Sequence, residues 1–355
     1  MFFSINIDMK IWLHPCFLFD SSNNTLRIKI SEMVVIMYGE YQTTAFYKCI
    51  NDLKDILTKN YELIKNAKII LDSTWDLLNV DPFVTCIQQM KLFDDNNLSV
   101  HQATELSKFK NTETFYTALS NQFCWYDSLC DKNIDWKSIT VDRHIVALVR
   151  RPTVERAEFI KLLLDSVSTY TRASFANMDR PDSYFDKYRK ILSPYPIPMT
   201  IDNNKLDLIT STFSPESDII YKSLCNVVCE NSVDLLYLTE KTYKAFAWHQ
   251  IPIFFAASGH VAKVRELGFD VFDDLSNGHR YDIETNVHLR KLKLISAIKQ
   301  FVNTYQDIQS LRNSIFDRLV ANNQRLHQIV EEERLRFDPA EHLIELKKYG
   351  LESFA

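Results

Sequence analysis

The sequence predicts an α/β protein of two domains, on three observations. Short apolar runs of strand type alternate with segments whose apolar residues recur at helical spacing. This alternation occurs in both halves of the chain and restarts strongly at His144. The chain has 355 residues, 46% hydrophobic and 25% charged, enough to build two cores of ordinary size.

Met9 to Leu13 reads as a short buried strand. Ile50 to Ile64 carries Ile50, Leu53, Ile56, Leu57 and Ile64 in helical phase, so a helix is expected there. Lys68 to Leu71 is a strand, closed by the polar pair Asp72-Ser73. His144 to Val149 is the strongest strand, ended by Arg150-Arg151-Pro152. Thr153 then caps a helix with core stripe Phe159, Leu162, Leu163 and Val167. Val227 to Cys229 is another strand, Thr239 caps a helix reaching about Trp248, and Ile251 to Phe255 is a strand. A short helix from His260 to Leu267 stops at Gly268, where a left-handed residue is expected. Phe269 to Phe272 reads as one more strand, and 289–346 as mostly helical. The order implies a parallel sheet in each half, hence two Rossmann-like domains with a helical C-terminal segment. Boundaries are placed at 1–140, 141–288 and 289–355, with a cleft between the two α/β domains.

Composition excludes several function classes. Five glycines leave no GxGxxG or P-loop sequence to cradle phosphates. The net charge of −5, concentrated in residues 1–135 with 12 basic and 17 acidic groups, argues against a surface that grips duplex DNA. Seven irregularly spaced cysteines read as reduced thiols. The N-terminal residues lack the apolar core of a signal peptide, and no run approaches the ~20 residues of a membrane span. A soluble, cytoplasmic protein is expected.

Parallel sheets bind ligands beyond the carboxyl ends of their strands, and anions favour the N-termini of the helices that follow. Arg156 and Lys241 each fall in the first turn of such a helix. A cation there opposes the helix dipole unless it shares an anion with the backbone amides. Two such cations on successive elements point to a phosphate-bearing ligand.

The stretch from Val228 to Ile253 carries the ordered set Glu230-Asn231-Ser232, Tyr237, Thr239-Glu240-Lys241 and Ile251-Pro252-Ile253. This resembles the donor-binding signature of the family-10 α-1,3-fucosyltransferases, an E-N-S triplet, a spacer, Y-x-T-E-K opening a helix, then a strand containing proline. Arg156 stands where that family carries an arginine early in a helix. The resemblance covers about residues 144–275, and its Thr-Glu-Lys-Thr-Tyr-Lys-Ala wording looks most like phage- and virus-encoded relatives, which would place it in a host cytoplasm. It departs from the family at Arg150-Arg151-Pro152, where Ser-Asn is usual, and at Cys229, where an aromatic is common.

The resemblance implies a GT-B glycosyltransferase, inverting and metal-independent, that moves a hexosyl or fucosyl group from a nucleotide-diphosphate donor to a hydroxyl acceptor such as a glycan. Arg156 and Lys241 would hold the diphosphate, Glu240 and Asn231 would bond sugar and ribose hydroxyls, and Tyr237 would contact the phosphate or line the nucleotide pocket. Glu230 and Thr239 complete the donor set, and no cofactor or metal is expected. An inverting transfer also needs a base for the acceptor. The candidates are Asp72 and Asp76 after the strand at Lys68, with His14 a third; His249, late in a helix, is given no chemistry. Cys225 and Cys229 lack a second pair for zinc, and Asp270-Val271-Phe272-Asp273-Asp274 lacks the spacing of an Asp-x-Asp metal motif. The run from Glu331 to Arg336 reads as a solvated helix face. Two alternatives stand beside this reading. One is transfer to a modified DNA base; the other is a non-catalytic module that binds nucleotide sugars.

Overall fold

The computed structural model describes residues 10–14, 17–20, 25–29, 43–73, 80–102, 105–114, 134–149, 152–175, 185–197, 199, 220–230 and 232–337. They fall into two units, one within 1–121 and the other within 122–337.

In the first unit β1 (Lys10–His14), β2 (Phe17–Asp20), β3 (Thr25–Lys29), β4 (Lys68–Ser73), β5 (Leu98–Gln102) and β6 (Thr112–Thr114) form one sheet in that order. From β3 to β6 the strands are parallel. In β4 every residue from Ile69 to Ser73 is buried, as befits a strand covered on both faces. The expectation of a wholly parallel sheet fails at the other edge, where β1, β2 and β3 pair antiparallel. Residues 15–16 and 21–24 are too few for a parallel crossover, which needs about a dozen, so these strands can only meander. The helix expected over 50–64 is also broken. It is α1 (Thr43–Lys59) and a single turn α2 (Tyr61–Ile64), parted where the Asn60 side-chain amide donates to the Ile56 carbonyl at 2.8 Å. Leu53, Leu57 and Ile64 share a core with Phe83, Val84 and Ile87 of α3 (Asp81–Met90) and with the inward residues of β3 to β5.

In the second unit β7 (Arg143–Val149), β8 (Thr171–Phe175), β9 (Ser223–Cys229) and β10 (Ile251–Phe255) form an all-parallel sheet, ordered β10-β9-β7-β8. All seven residues of the central β9 are buried. The first crossover carries α4 (Val154–Val167), opened by Thr153, whose hydroxyl accepts from the Arg156 amide at 3.2 Å. Phe159, Ile160, Leu163, Leu164 and Val167 are buried, and Phe159 stacks on Phe255 with centroids 4.4 Å apart. Leu162, expected in that stripe, is only half-buried. Helix α5 (Asp186–Leu192) lies between β8 and β9, and α6 (Glu240–Ala247) joins β9 to β10. After β10 comes α7 (His260–Glu266), ended by Gly268 at φ +90 in the expected left-handed conformation.

Phe269 to Phe272 is not a strand. Phe269 stacks on Phe246 of α6 at 4.0 Å, and Phe272 takes φ +59. The Asp270 backbone is bonded by the Asn322 side chain, its N–H to Oδ1 at 2.8 Å and its C=O from Nδ2 at 2.7 Å. A side chain thus takes the place of a neighbouring strand. Asn322 belongs to α10 (Phe316–Phe337), which with α8 (Val287–Thr304) and α9 (Ile308–Ser314) completes this unit. Arg318 of α10 binds both Asp270 and Asp274, and Arg265 of α7 binds Asp273, so all three carboxylates of that acidic run face arginines. Among the described residues no helix is long and apolar enough to cross a membrane.

Candidate functional site

The strand order fixes where a ligand can enter. From β7 the chain winds outward to β8, whereas from β9 it winds the other way to β10. The carboxyl ends of β7 and β9 therefore flank the point where the winding reverses, which is where open α/β sheets form their crevice. Helix α4 starts beyond β7, and α6 starts beyond β9.

Arg156, in the first turn of α4, reaches across to the end of β9. Its Nε donates to the Glu230 carbonyl at 3.0 Å and its Nη2 to the Cys229 carbonyl at 2.8 Å. The residue is 2% exposed. These two carbonyls lie where the sheet ladder runs out, so they need a donor from another element. Where a diphosphate clamp is expected, the structure shows a buried guanidinium bonded to the end of β9.

Glu230 follows β9 directly and is 1% exposed. Its Oε1 accepts from the Thr239 amide at 3.1 Å and from the Thr242 hydroxyl at 2.6 Å, and its Oε2 from the Thr239 hydroxyl at 2.6 Å. Its own N–H donates to the Phe255 carbonyl at 3.0 Å, extending the pairing of β9 with β10. Ser232 accepts from the Asp234 and Leu235 amides, at 3.2 and 2.9 Å, and so shapes the turn that follows. Buried Arg290 of α8 holds the same loop through the Val233 carbonyl and the end of β10 through the Ala256 carbonyl at 3.0 Å.

Thr239 caps α6 as expected, its hydroxyl accepting from the Lys241 amide at 3.3 Å. The Lys241 ammonium bonds Glu240 Oε1 at 2.6 Å and lies 3.4 Å from Thr239 Oγ1. The two side chains are 23% and 13% exposed, so both can be reached from solvent. Burial pushes the Glu240 carboxyl up. The Lys241 and Lys244 charges, the Lys241 hydrogen bond and the helix amide outweigh it and hold the group at about 2. At the next helix the position is taken, because the Asp282 carboxylate accepts from the Val261 and Ala262 amides of α7 at 3.0 and 3.2 Å.

The remaining candidates are placed as follows. Tyr237 is buried beside this loop. Asn231 and Asp76 lie outside the described residues, as does the side chain of His14. Asp72 is not on a loop after its strand but inside β4, paired in register with Lys29 and His101, and it is 1% exposed. Among the described residues no cluster of His, Cys, Asp and Glu is arranged to hold a metal. Cys225 and Cys229 are buried in β9, and burial pushes the Cys229 thiol to about 12.

Two residues of this site, His260 and Arg290, carry no motif, and Thr242 stands within the Thr-Glu-Lys-Thr-Tyr-Lys-Ala stretch with no role expected of it. For Arg290 a signal existed, since it stands in helical phase with buried Leu294 and Ile298. Arg156 stands likewise in phase with Ile160, Leu163 and Val167. A cation in the core phase of a helix must find acceptors inside, and strand ends supply them.

The arrangement can hold an anion. It offers a partly exposed ammonium in the first turn of a helix, beside a reversal of sheet winding, on a cap that buried bonds keep in place. No family model matches the chain, and no curated protein matches it. Among solved structures it is similar to a UDP-forming α,α-trehalose-phosphate synthase from Burkholderia xenovorans, with 10% sequence identity and a TM-score of 0.41 over 83% of this chain and 80% of that one. A likeness at that level assigns nothing to this chain, and the functional reading rests on the site itself.

Proposed function

We propose that the chain is a glycosyltransferase whose second unit binds a nucleotide-sugar donor at the crevice between β7 and β9. The observation that carries the reading is Lys241, an ammonium open to solvent in the first turn of α6, held between Glu240 and the Thr239 cap. When a glycosyl–phosphate bond breaks, negative charge gathers on the leaving diphosphate. A fixed cation backed by helix amides stabilises that charge most in the transition state. Glu240, ionised at neutral pH, accepts hydrogen bonds from donor sugar hydroxyls once the diphosphate takes Lys241. Arg156 acts from behind, as the tether that keeps the end of β9 in place.

The finer reading is an inverting, metal-independent transfer of fucosyl type to a hydroxyl acceptor. A second reading, a module that binds nucleotide sugars without transferring them, is favoured by one observation: Asp72, an expected base, is enclosed in β4. The test is titration of GDP, UDP and TDP and their sugars into wild type, Lys241→Ala and Glu240→Gln, each with Mg²⁺ and with chelator. Lys241→Ala is expected to weaken the diphosphate by ~1.5–3 kcal/mol, one to two decades in Kd. Glu240→Gln should keep or raise diphosphate affinity, since it frees the ammonium, while sugar transfer falls. Equal affinities in all three proteins would remove the diphosphate role from Lys241; strict dependence on Mg²⁺ would remove the metal-free mechanism. Donor binding without transfer to any acceptor would select the binding module.

A further inference from the structure

Behind Lys241 lies a chain of buried hydrogen bonds whose proton directions are all determined. A carboxylate only accepts, so the Thr242 hydroxyl donates to Glu230 Oε1 at 2.6 Å. That hydroxyl has one proton, so its 2.9 Å contact with His260 Nε2 must be a bond that it accepts. His260 is therefore the Nε2–H tautomer, and its buried Nδ1 finds no partner among the described residues. Burial lowers the His260 pKa, in keeping with a neutral ring. On the other arm the Thr239 hydroxyl donates to Glu230 Oε2 at 2.6 Å. Its lone pairs are then turned toward the Lys241 amide at 3.3 Å and the Lys241 ammonium at 3.4 Å. An N-cap threonine elsewhere is free to rotate its hydroxyl; this one is not.

We infer that Glu230, with Thr242 and His260 behind it, is a positioning device that sets the polarity of the Thr239 cap and so fixes the Lys241 ammonium before any ligand arrives. Glu230 is suited to this and not to touching a donor, because it is 1% exposed and its carboxylate already receives three protons from the first turn of α6 and its cap. Its backbone binds the end of β10 and Arg156 of α4, so the cap is referenced to the sheet and not only to its own helix. The inference rests on the proposed anion-binding role of Lys241. A cation already aligned on its cap has only the Glu240 ion pair to give up when the diphosphate enters, which is where its affinity is gained.

The experiment is a double-mutant cycle read by titration with GDP, UDP and TDP below the unfolding range. Thr242→Val keeps the volume and removes the hydroxyl; it is expected to weaken the diphosphate five- to tenfold. Thr242→Ser should restore wild-type affinity within about twofold, since it returns the hydroxyl. Because Thr242 acts through Lys241, adding Thr242→Val to Lys241→Ala should cost no further affinity. A purely structural Thr242 would lower thermal stability and leave the affinity of the folded protein unchanged, and that result overturns the inference, as does a loss that adds in full to that of Lys241→Ala. Should Thr242→Val fail to fold, His260→Leu removes the last donor of the chain and is read in the same cycle, with a smaller loss expected, again absent on the Lys241→Ala background. If Lys241→Ala weakens binding and neither of these variants does, the positioning device is wrong and the anion site stands. If wild type binds none of the three diphosphates, both fall together.

Discussion

Replacing Arg156 by Met decides between its two roles, because each predicts a different quantity to change. Methionine retains much of the arginine stem, so little cavity is opened and the loss is mainly that of the guanidinium. Two donors vanish, leaving the carbonyls of Cys229 and Glu230 without them in a region where both residues are almost wholly enclosed. An acceptor deprived of its partner in the interior costs ~1–3 kcal/mol, so about 3 kcal/mol in all is expected once the added apolar burial is set against it. For a unit of 150–250 residues each kcal/mol moves Tm by about 2–4 °C, which puts the expected drop at roughly 6–12 °C. The assay is calorimetric unfolding of wild type and Arg156→Met without ligand, followed by GDP, UDP and TDP titration of the folded variant. A solvent-facing diphosphate clamp would give the opposite pattern, an unchanged ligand-free Tm and a large loss of affinity. A ligand-free change below ~0.5 kcal/mol, the range of ordinary surface substitutions, refutes the tether.

Two further predictions follow from the same unit. Burial, aided by the Arg312 charge and opposed by the Ala247 carbonyl, lowers His249 to about 4 from the ordinary 6.5. The unfolded chain then binds the proton more readily, so this stabilisation is complete above about pH 6.5 and is lost as the pH falls toward 4. Between pH 8 and pH 5 it amounts to about 2 kcal/mol, and His249→Asn, acceptable at the left-handed φ of +52, should flatten that part of the denaturant-unfolding profile. An identical pH profile in the variant would exclude His249 as the group responsible. Gly268→Ala sets a methyl 3.0 Å from Arg325 Nε at φ +90, and a loss of about 1–2 kcal/mol is expected by urea unfolding. No loss would mean that the end of α7 shifts freely.

Apart from β1, where the run Met9 to Leu13 matches Lys10–His14, the strands legible from sequence were those buried along most of their length. β4, β7, β9 and β10 each present an apolar run, and nearly all of their residues are buried whichever face they point to. β8 was missed for the converse reason. Four of its five residues are half-buried, and Thr-Arg-Ala-Ser-Phe carries no apolar pattern to detect, whereas β10, equally at the edge of the sheet, is buried throughout. Phe269 to Phe272 misled in the other direction. Its apolar residues are buried like those of a strand, yet Phe269 stacks on a helix and Asn322 bonds the Asp270 backbone, and neither partner is local in sequence. The caps at Thr153 and Thr239 were legible because an N-cap acts within three residues of itself.

At the site, residue type was legible and direction was not. Arg156 and Lys241 occupy equivalent places on successive helices, and sequence spacing alone gives them one role. Helical phase separates them. Arg156 shares the face of Ile160, Leu163 and Val167, so its helix carries it inward, to the carbonyls where β9 leaves the ladder. Lys241 flanks buried Thr242 and Tyr243 on the other face of a short helix and keeps its ammonium within reach of solvent. The same rule accounts for Arg290 and Lys291, both buried and in phase with Leu294, Ile295 and Ile298, one bound to strand-end and loop carbonyls and the other to Glu158. At the carboxyl ends of the strands the last carbonyls run out of ladder partners, and some donor must meet them wherever water is excluded. Cations in the core phase of the flanking helices meet that need first. A cation outside that phase keeps its charge within reach of solvent, and in the first turn of α6 that cation is Lys241, the one proposed to meet the diphosphate.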